Sequence, residues 1–221
     1  MIELIPTVVP NSPEDIDVFL ARSRAFSQTF HVDAADGIFA PNVTWIPAAG
    51  EKLAEADAFF FEAHLMAAHP EMAGKAFIEA GAKRVIAHVE AFDSAEEAEK
   101  IFGSWRAAGA KEVCVALLIA TPLEALEGYV EMCDGVTLMS IASVGVQGIP
   151  FDERGYGRVA DIHSRYPDLL IEVDGGVGET QIATLSRAGA RRFSIGSAIS
   201  KSADPAAEYQ KLKSIAESAI Q

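Results

Sequence analysis

Two metal-capable side chains stand two residues apart in Phe30-His31-Val32-Asp33-Ala34-Ala35-Asp36-Gly37, at the end of an apolar run. A strand turns successive side chains to opposite faces, so His31 and Asp33 project the same way. Imidazole and carboxylate together suit a divalent transition metal such as zinc, manganese or iron, and two ligands leave such a site half built. Two further apolar runs end in groups of the same kind. Phe59-Phe60-Phe61-Glu62-Ala63-His64-Leu65-Met66 carries a histidine, and Leu170-Ile171-Glu172-Val173-Asp174-Gly175-Gly176 a carboxylate followed by two glycines. If these run ends share one rim, His31, Asp33, His64 and Asp174 make a two-histidine, two-carboxylate site. Taken singly, each has a blander reading: His31 and Asp33 bonded to nearby loops, His64 a satisfied core histidine, Asp174 a turn residue.

The elements that must bring them together are short apolar runs alternating with Ala/Glu/Lys-rich amphipathic segments, the pattern of repeated βα units. Eight runs stand out: Glu3 to Val9, Thr29 to Asp33, Ala58 to Leu65, Arg84 to His88, Glu112 to Ile119, Gly135 to Ile141, Leu169 to Asp174 and Arg192 to Ile195. Each precedes a stretch able to form a helix, the one around Ile46 to Ala56 being short and poorly defined. Ser12-Pro13-Glu14, Asp93-Ser94 and Thr121-Pro122-Leu123-Glu124 are helix starts, while Gly81, Gly109 and Gly189 end helices before the next strand. Eight such units without an internal linker predict a single (β/α)8 barrel domain over residues 1–221, with polar residues at the carboxyl ends of the strands, where this fold places its active sites. An open doubly wound sheet is the structural alternative.

Half of the 221 residues are hydrophobic, ample for one core, and the formal net charge is -14. That charge argues against a nucleic-acid partner or an anionic membrane surface, so an anionic substrate must be held by local donors. Only Cys114 and Cys133 occur, both in apolar segments, which suggests neither a disulfide framework nor a cysteine-rich zinc site. The amino terminus has no basic region followed by a long apolar one, and no stretch reaches eighteen uninterrupted apolar residues. A soluble cytoplasmic protein is expected.

In order and spacing, His31-Val32-Asp33-Ala34-Ala35-Asp36-Gly37 with Pro41-Asn42, His64-Leu65-Met66, Ala120-Thr121-Pro122-Leu123-Glu124, Leu138-Met139-Ser140, Glu172-Val173-Asp174-Gly175-Gly176 and Gly196-Ser197-Ala198-Ile199 resemble the motifs of the ribulose-phosphate 3-epimerase family. The resemblance spans most of the chain. It implies a TIM barrel of the ribulose-phosphate-binding type that inverts C3 of a ketopentose phosphate. It further implies one divalent metal ion per chain, zinc before iron, manganese or cobalt, held by His31, Asp33, His64 and Asp174. The residues matching Asp33 and Asp174 also serve as the proton-transfer pair, and Met66 and Met139 match methionines that lie against the enediolate. Such chemistry needs a cation, because a proton α to a ketone is too weakly acidic for an unaided carboxylate.

Substrate contacts implied by the same match are Gly175, Gly176, Gly196 and Ser197, with Gly145, Gln147 and Gly148 in the loop after the sixth run. That loop departs from the family's Asn-Pro-Gly-Phe-Gly-Gly-Gln and reads Ala142-Ser143-Val144-Gly145-Val146-Gln147-Gly148. Pro10 stands where a substrate-touching serine is expected, and Ala35 replaces the usual methionine between the two aspartates. The expected reaction is therefore interconversion of ribulose 5-phosphate and xylulose 5-phosphate by a homo-oligomer with a small sugar phosphate as its partner. The alternatives are epimerisation of a hexulose phosphate such as allulose 6-phosphate or of a free ketose, decarboxylation of a sugar-acid phosphate, and non-catalytic sugar-phosphate binding. Decarboxylation is disfavoured because no lysine stands between the acids of the second-run motif.

Overall fold

A computed structural model of the chain describes residues 1–146 and 148–221. Strands β1 (Glu3–Val8), β2 (Thr29–Ala35), β3 (Phe60–Met66), β4 (Arg84–His88), β5 (Glu112–Leu117), β6 (Gly135–Met139), β7 (Leu170–Asp174) and β8 (Arg192–Ile195) form a closed barrel in sequence order. Parallel pairing of β1 with β8, Glu3 opposite Arg192, closes the ring and rules out the open sheet.

Helices α1 (Pro13–Ser23), α2 (Pro70–Ala80), α3 (Ala95–Ala108), α4 (Arg154–Arg165), α5 (Glu179–Ala188), the one-turn α6 (Ser197–Ser200) and α7 (Pro205–Ser218) are the α-helices among the described residues. Gly81, Gly109 and Gly189 end α2, α3 and α5 with φ of 112°, 118° and 123°, values that only glycine adopts without strain. The expected helix around Ile46 to Ala56 does not form. Pro47 and Gly50, the latter at φ 86°, interrupt it, and the Leu53 N–H bonds to the Ala80 carbonyl instead of a preceding turn. After β5 the start signal at Thr121-Pro122 yields only a 3-10 turn, Leu123–Leu126.

Strand alternation sorts the side chains into two cores. Phe30, Val32, Phe61, Ala63, Leu65, Val85, Val113, Val115, Ile171 and Val173 face outward into the layer beneath the helices, in one cluster with Phe77, Trp105, Ile162 and Leu185. The inward positions are unusually polar. Arg84 bonds Glu62 and Glu112, and Arg192 bonds Glu3 and Glu112, so an acid–base network closes the floor of the barrel. Arg84 and Glu62 are both buried. Losing the arginine alone would strand a buried carboxylate at a cost of about 3–5 kcal/mol. Ordered polar groups on the floor give a rigid base for the layer above them.

Candidate metal centre and its cavity

The upper inward layer holds His31 and Asp33 on β2, His64 on β3 and Asp174 on β7, all buried, each with a ligand atom within 4.8 Å of the others. Register places Asp33 opposite His64 across the β2–β3 ladder. His31 turns Nε2 to the cluster, 3.2 Å from Asp33 Oδ1 and 3.9 Å from Asp174 Oδ2. His64 turns Nδ1, 3.1 Å from Asp33 Oδ1 and 3.3 Å from Asp174 Oδ2. Two imidazole nitrogens and two carboxylate oxygens converge on one point, a donor set of the type divalent transition metals take.

Electrostatics points the same way. Burial alone would lower His64, but its hydrogen bonds to Asp174 and Asp33 and their charges raise it to about 9. Burial works against His31 likewise, and Asp33 with Glu62 holds it well above the usual histidine range. Burial would raise Asp33, yet the two imidazoles depress it. The carboxylates thus attract positive charge to this point, and a divalent cation can supply it in place of protons.

A second group, His31 with Glu62 and Glu172, lies directly below. It does not compete as a cation site. Glu62 is held by Arg84, whose charge outweighs burial and lowers it to about 2, and its Oε1 takes His31 Nδ1 at 2.5 Å. Burial and the charge of Glu62 push Glu172 up to about 8, and Ser194 Oγ bonds it at 2.5 Å. These groups hold His31 from behind. A metal-ligating histidine commonly gives its other N–H to such a carboxylate.

A cavity opens above the cluster at the carboxyl ends of the strands. Asp33, Asp174, Met66, Met139, Gly145, Gly148, Gly175, Gly176, Gly196 and Ser197 line it, as do Thr7, Ser194, Ile141, Val146, Ile149 and Val177. The residues singled out in the sequence for substrate therefore share one cavity, except Gln147, which lies outside the described residues. His31 and His64 sit beneath it. Pro10 is not on the wall. The hydroxyl at the end of the first strand belongs to Thr7, a residue the sequence reading missed although Pro6-Thr7-Val8 lies within its first run. Ala35 is wholly buried behind the wall, in a small cluster with Met66 and Met139. No lysine or arginine lines the cavity among the described residues.

Close packing explains two of the wall glycines. Gly145, at φ 86°, approaches Asn42 so closely that a Cβ would lie 2.2 Å from its Oδ1. Gly176, at φ 68°, would bring a Cβ to 2.5 Å from the Phe151 backbone nitrogen. Main chain can thus border the cavity without intervening side chains.

A closed parallel barrel with this polar cluster under a glycine-lined mouth defines a TIM barrel of the ribulose-phosphate-binding type. Solved structures agree on the fold: 3-hexulose-6-phosphate synthase from Salmonella typhimurium superposes with a TM-score of 0.71 at 15% identity, covering 99% of this chain and 100% of that one. KGPDC from Streptococcus mutans superposes with a TM-score of 0.77 at 11% identity, covering 100% and 99%. In sequence, residues 13–200 match the ribulose-phosphate 3 epimerase family. The ribulose-phosphate 3-epimerase of Aquifex aeolicus is 33% identical over 90% of each chain, and that of Eremothecium gossypii 30% identical over 82% of this chain and 78% of its own. The chain belongs to the ribulose-phosphate 3-epimerase family, and it is an enzyme of the isomerase class. No helix among the described residues is long and apolar enough to cross a membrane.

Proposed function

We propose that the protein interconverts ribulose 5-phosphate and xylulose 5-phosphate by inverting C3, with His31, Asp33, His64 and Asp174 holding one divalent metal ion, zinc in the first instance. The observation that carries this reading is the placement of Asp33 and Asp174, which belong at once to the metal-capable cluster and to the cavity wall. A cation held there would polarise the substrate ketone and so acidify the proton at C3.

The chain's own groups do the rest. Inversion requires removal of a proton from one face of C3 and delivery to the other. Asp33 and Asp174 stand on strands separated around the ring by β1 and β8, so their carboxylates approach a bound substrate from different sides. The cluster engages Oδ1 of Asp33 and Oδ2 of Asp174, which leaves the second oxygen of each for the proton. Met66 and Met139, almost wholly buried, supply an apolar wall that keeps water from the planar enediolate. At the far side, the main chain of Gly175, Gly176, Gly196 and Ser197 borders the space for the phosphate, which backbone N–H groups would hold.

Turnover of purified, zinc-loaded protein on ribulose 5-phosphate, allulose 6-phosphate and free ribulose tests the proposal. The expected result is a kcat/KM for ribulose 5-phosphate at least tenfold above either of the others. Equal use of free ribulose would mean that the altered loop no longer holds a phosphate, and the protein would then be a free-ketose epimerase.

A further inference from the structure

His64 presents Nδ1 to the metal cluster and turns Nε2 away from it, to 3.0 Å from Nε2 of His88. His88 ends β4 and is fully buried, and it does not line the cavity. The two rings lie nearly parallel, with centroids 5.1 Å apart, and Phe39 covers His88 at 4.5 Å. On the other side of the ring, Nδ1 of His88 lies 3.4 Å from Glu90 Oε2, a contact short of a full hydrogen bond, and it has no closer partner. Glu90 itself is anchored: its Oε1 accepts the Leu118 N–H at 2.9 Å and the Thr121 hydroxyl at 2.5 Å.

This arrangement has one satisfactory proton assignment. Two facing imidazole nitrogens can bond only if one donates and the other accepts. An ionised carboxylate only accepts, so Glu90 places the proton of neutral His88 on Nδ1 and leaves its Nε2 bare. His88 Nε2 must then accept from His64 Nε2–H. Once a cation displaces the proton that Nδ1 shares with Asp33 and Asp174, the lone pair of His64 is left on Nδ1, the atom between those carboxylates. Glu62 imposes the complementary choice on His31, whose Nδ1 it faces, leaving Nε2 for the cluster.

We propose that Glu90 and His88 act as positioning residues, a relay from the loop after β4 that holds His64 in its Nδ1-bare tautomer and so sets the metal affinity of the centre. The inference rests on the metal-centre reading above and adds residues that touch neither substrate nor metal. Outer-shell partners of this kind typically change metal affinity 10–100-fold when removed.

Nitrogen-15 NMR of the imidazoles in zinc-loaded protein reads the assignment directly: His64 should carry its proton on Nε2 and His88 on Nδ1. Finding His88 protonated on Nε2 would overturn the relay without any mutation. In Glu90→Gln the amide oxygen can keep the Leu118 and Thr121 donors, which turns its NH2 toward His88 and reverses the polarity. The zinc Kd should rise at least tenfold and the visible bands of the cobalt-substituted protein should shift. His88→Phe keeps the stacking but removes the acceptor and should weaken zinc similarly, whereas His88→Gln, whose oxygen can accept from His64, should recover part of the loss. Zinc affinity within twofold of the parent in both Glu90→Gln and His88→Phe, with unchanged circular dichroism, would refute the proposal. So would a parent protein that takes up no divalent ion. A parent that binds zinc with the stated tautomers but does not epimerise ribulose 5-phosphate would support the relay and sink the functional reading alone.

Discussion

Asp33 and His64 are register partners on neighbouring parallel strands, and their facing atoms, Oδ1 and Nδ1, stand 3.1 Å apart. The backbone ladder, not a loop, sets that spacing, so removing one side chain leaves the barrel intact. His64→Ala should drop the metal content from about one ion per chain to near none, by elemental analysis, with circular dichroism unchanged. Full occupancy in that variant would take His64 out of the centre.

Asp174 lines the cavity and belongs to the cluster, so its substitution tests proton transfer most directly. Asp174→Asn keeps the shape, but an amide can neither take nor deliver the C3 proton. Epimerisation should fall at least a thousandfold, beyond the 10²–10⁴-fold range's lower half for a single acid–base group. In deuterated solvent the parent should incorporate deuterium at C3 during turnover. Near-normal inversion by Asp174→Asn would end the two-aspartate mechanism.

Metal affinity should depend on pH with a definite sign. His64 is a base whose pKa in the metal-free centre is raised to about 9, chiefly against the cost of burial, by Asp174 and Asp33. Below that pH its proton must leave before Nδ1 can coordinate, and the raised His31 must likewise give up its own, so affinity should climb with pH across the neutral range by about tenfold per pH unit for each proton displaced. Calorimetry at neutral pH in buffers of different ionisation enthalpy should register that release. The same raised pKa means that the stability His64 lends the metal-free chain is full below about 6.5 and is lost as pH rises to about 9. An affinity indifferent to pH across the neutral range would contradict this electrostatic account.

Gly176 tests the main-chain border of the cavity. At φ 68°, with the Phe151 nitrogen 2.5 Å from where a Cβ would stand, Gly176→Ala must displace the segment at Phe151 or the loop after β7. The left-handed conformation adds about 1–2 kcal/mol of strain for a non-glycine residue. KM for the sugar phosphate should rise at least tenfold, with a smaller change for the free sugar. An unchanged KM would place the phosphate elsewhere.

Much of this was legible in the chain because it depends on local periodicity. His31 and Asp33 share a face in any strand, two residues being one strand period. Gly81, Gly109 and Gly189 mark helix ends through their own backbone freedom, and alternating apolar runs announce a βα barrel before any contact is known. The limits of local reading show at Ile46 to Ala56, where an amphipathic composition suggested a helix that Pro47, Gly50 and the bond from Leu53 to Ala80 prevent. They show again at Thr7, which lines the cavity although no motif along the chain singled it out. Only ring closure could decide such matters. Asp174 meets His64 across 110 residues of chain because β3 and β7 lie on the same small ring, and Arg84 joins Glu62 to Glu112 because successive strands hold them level. Which nitrogen each histidine offers is decided by partners on other strands and loops, Glu62 for His31 and His88 with Glu90 for His64, and no spacing along the chain encodes those bonds.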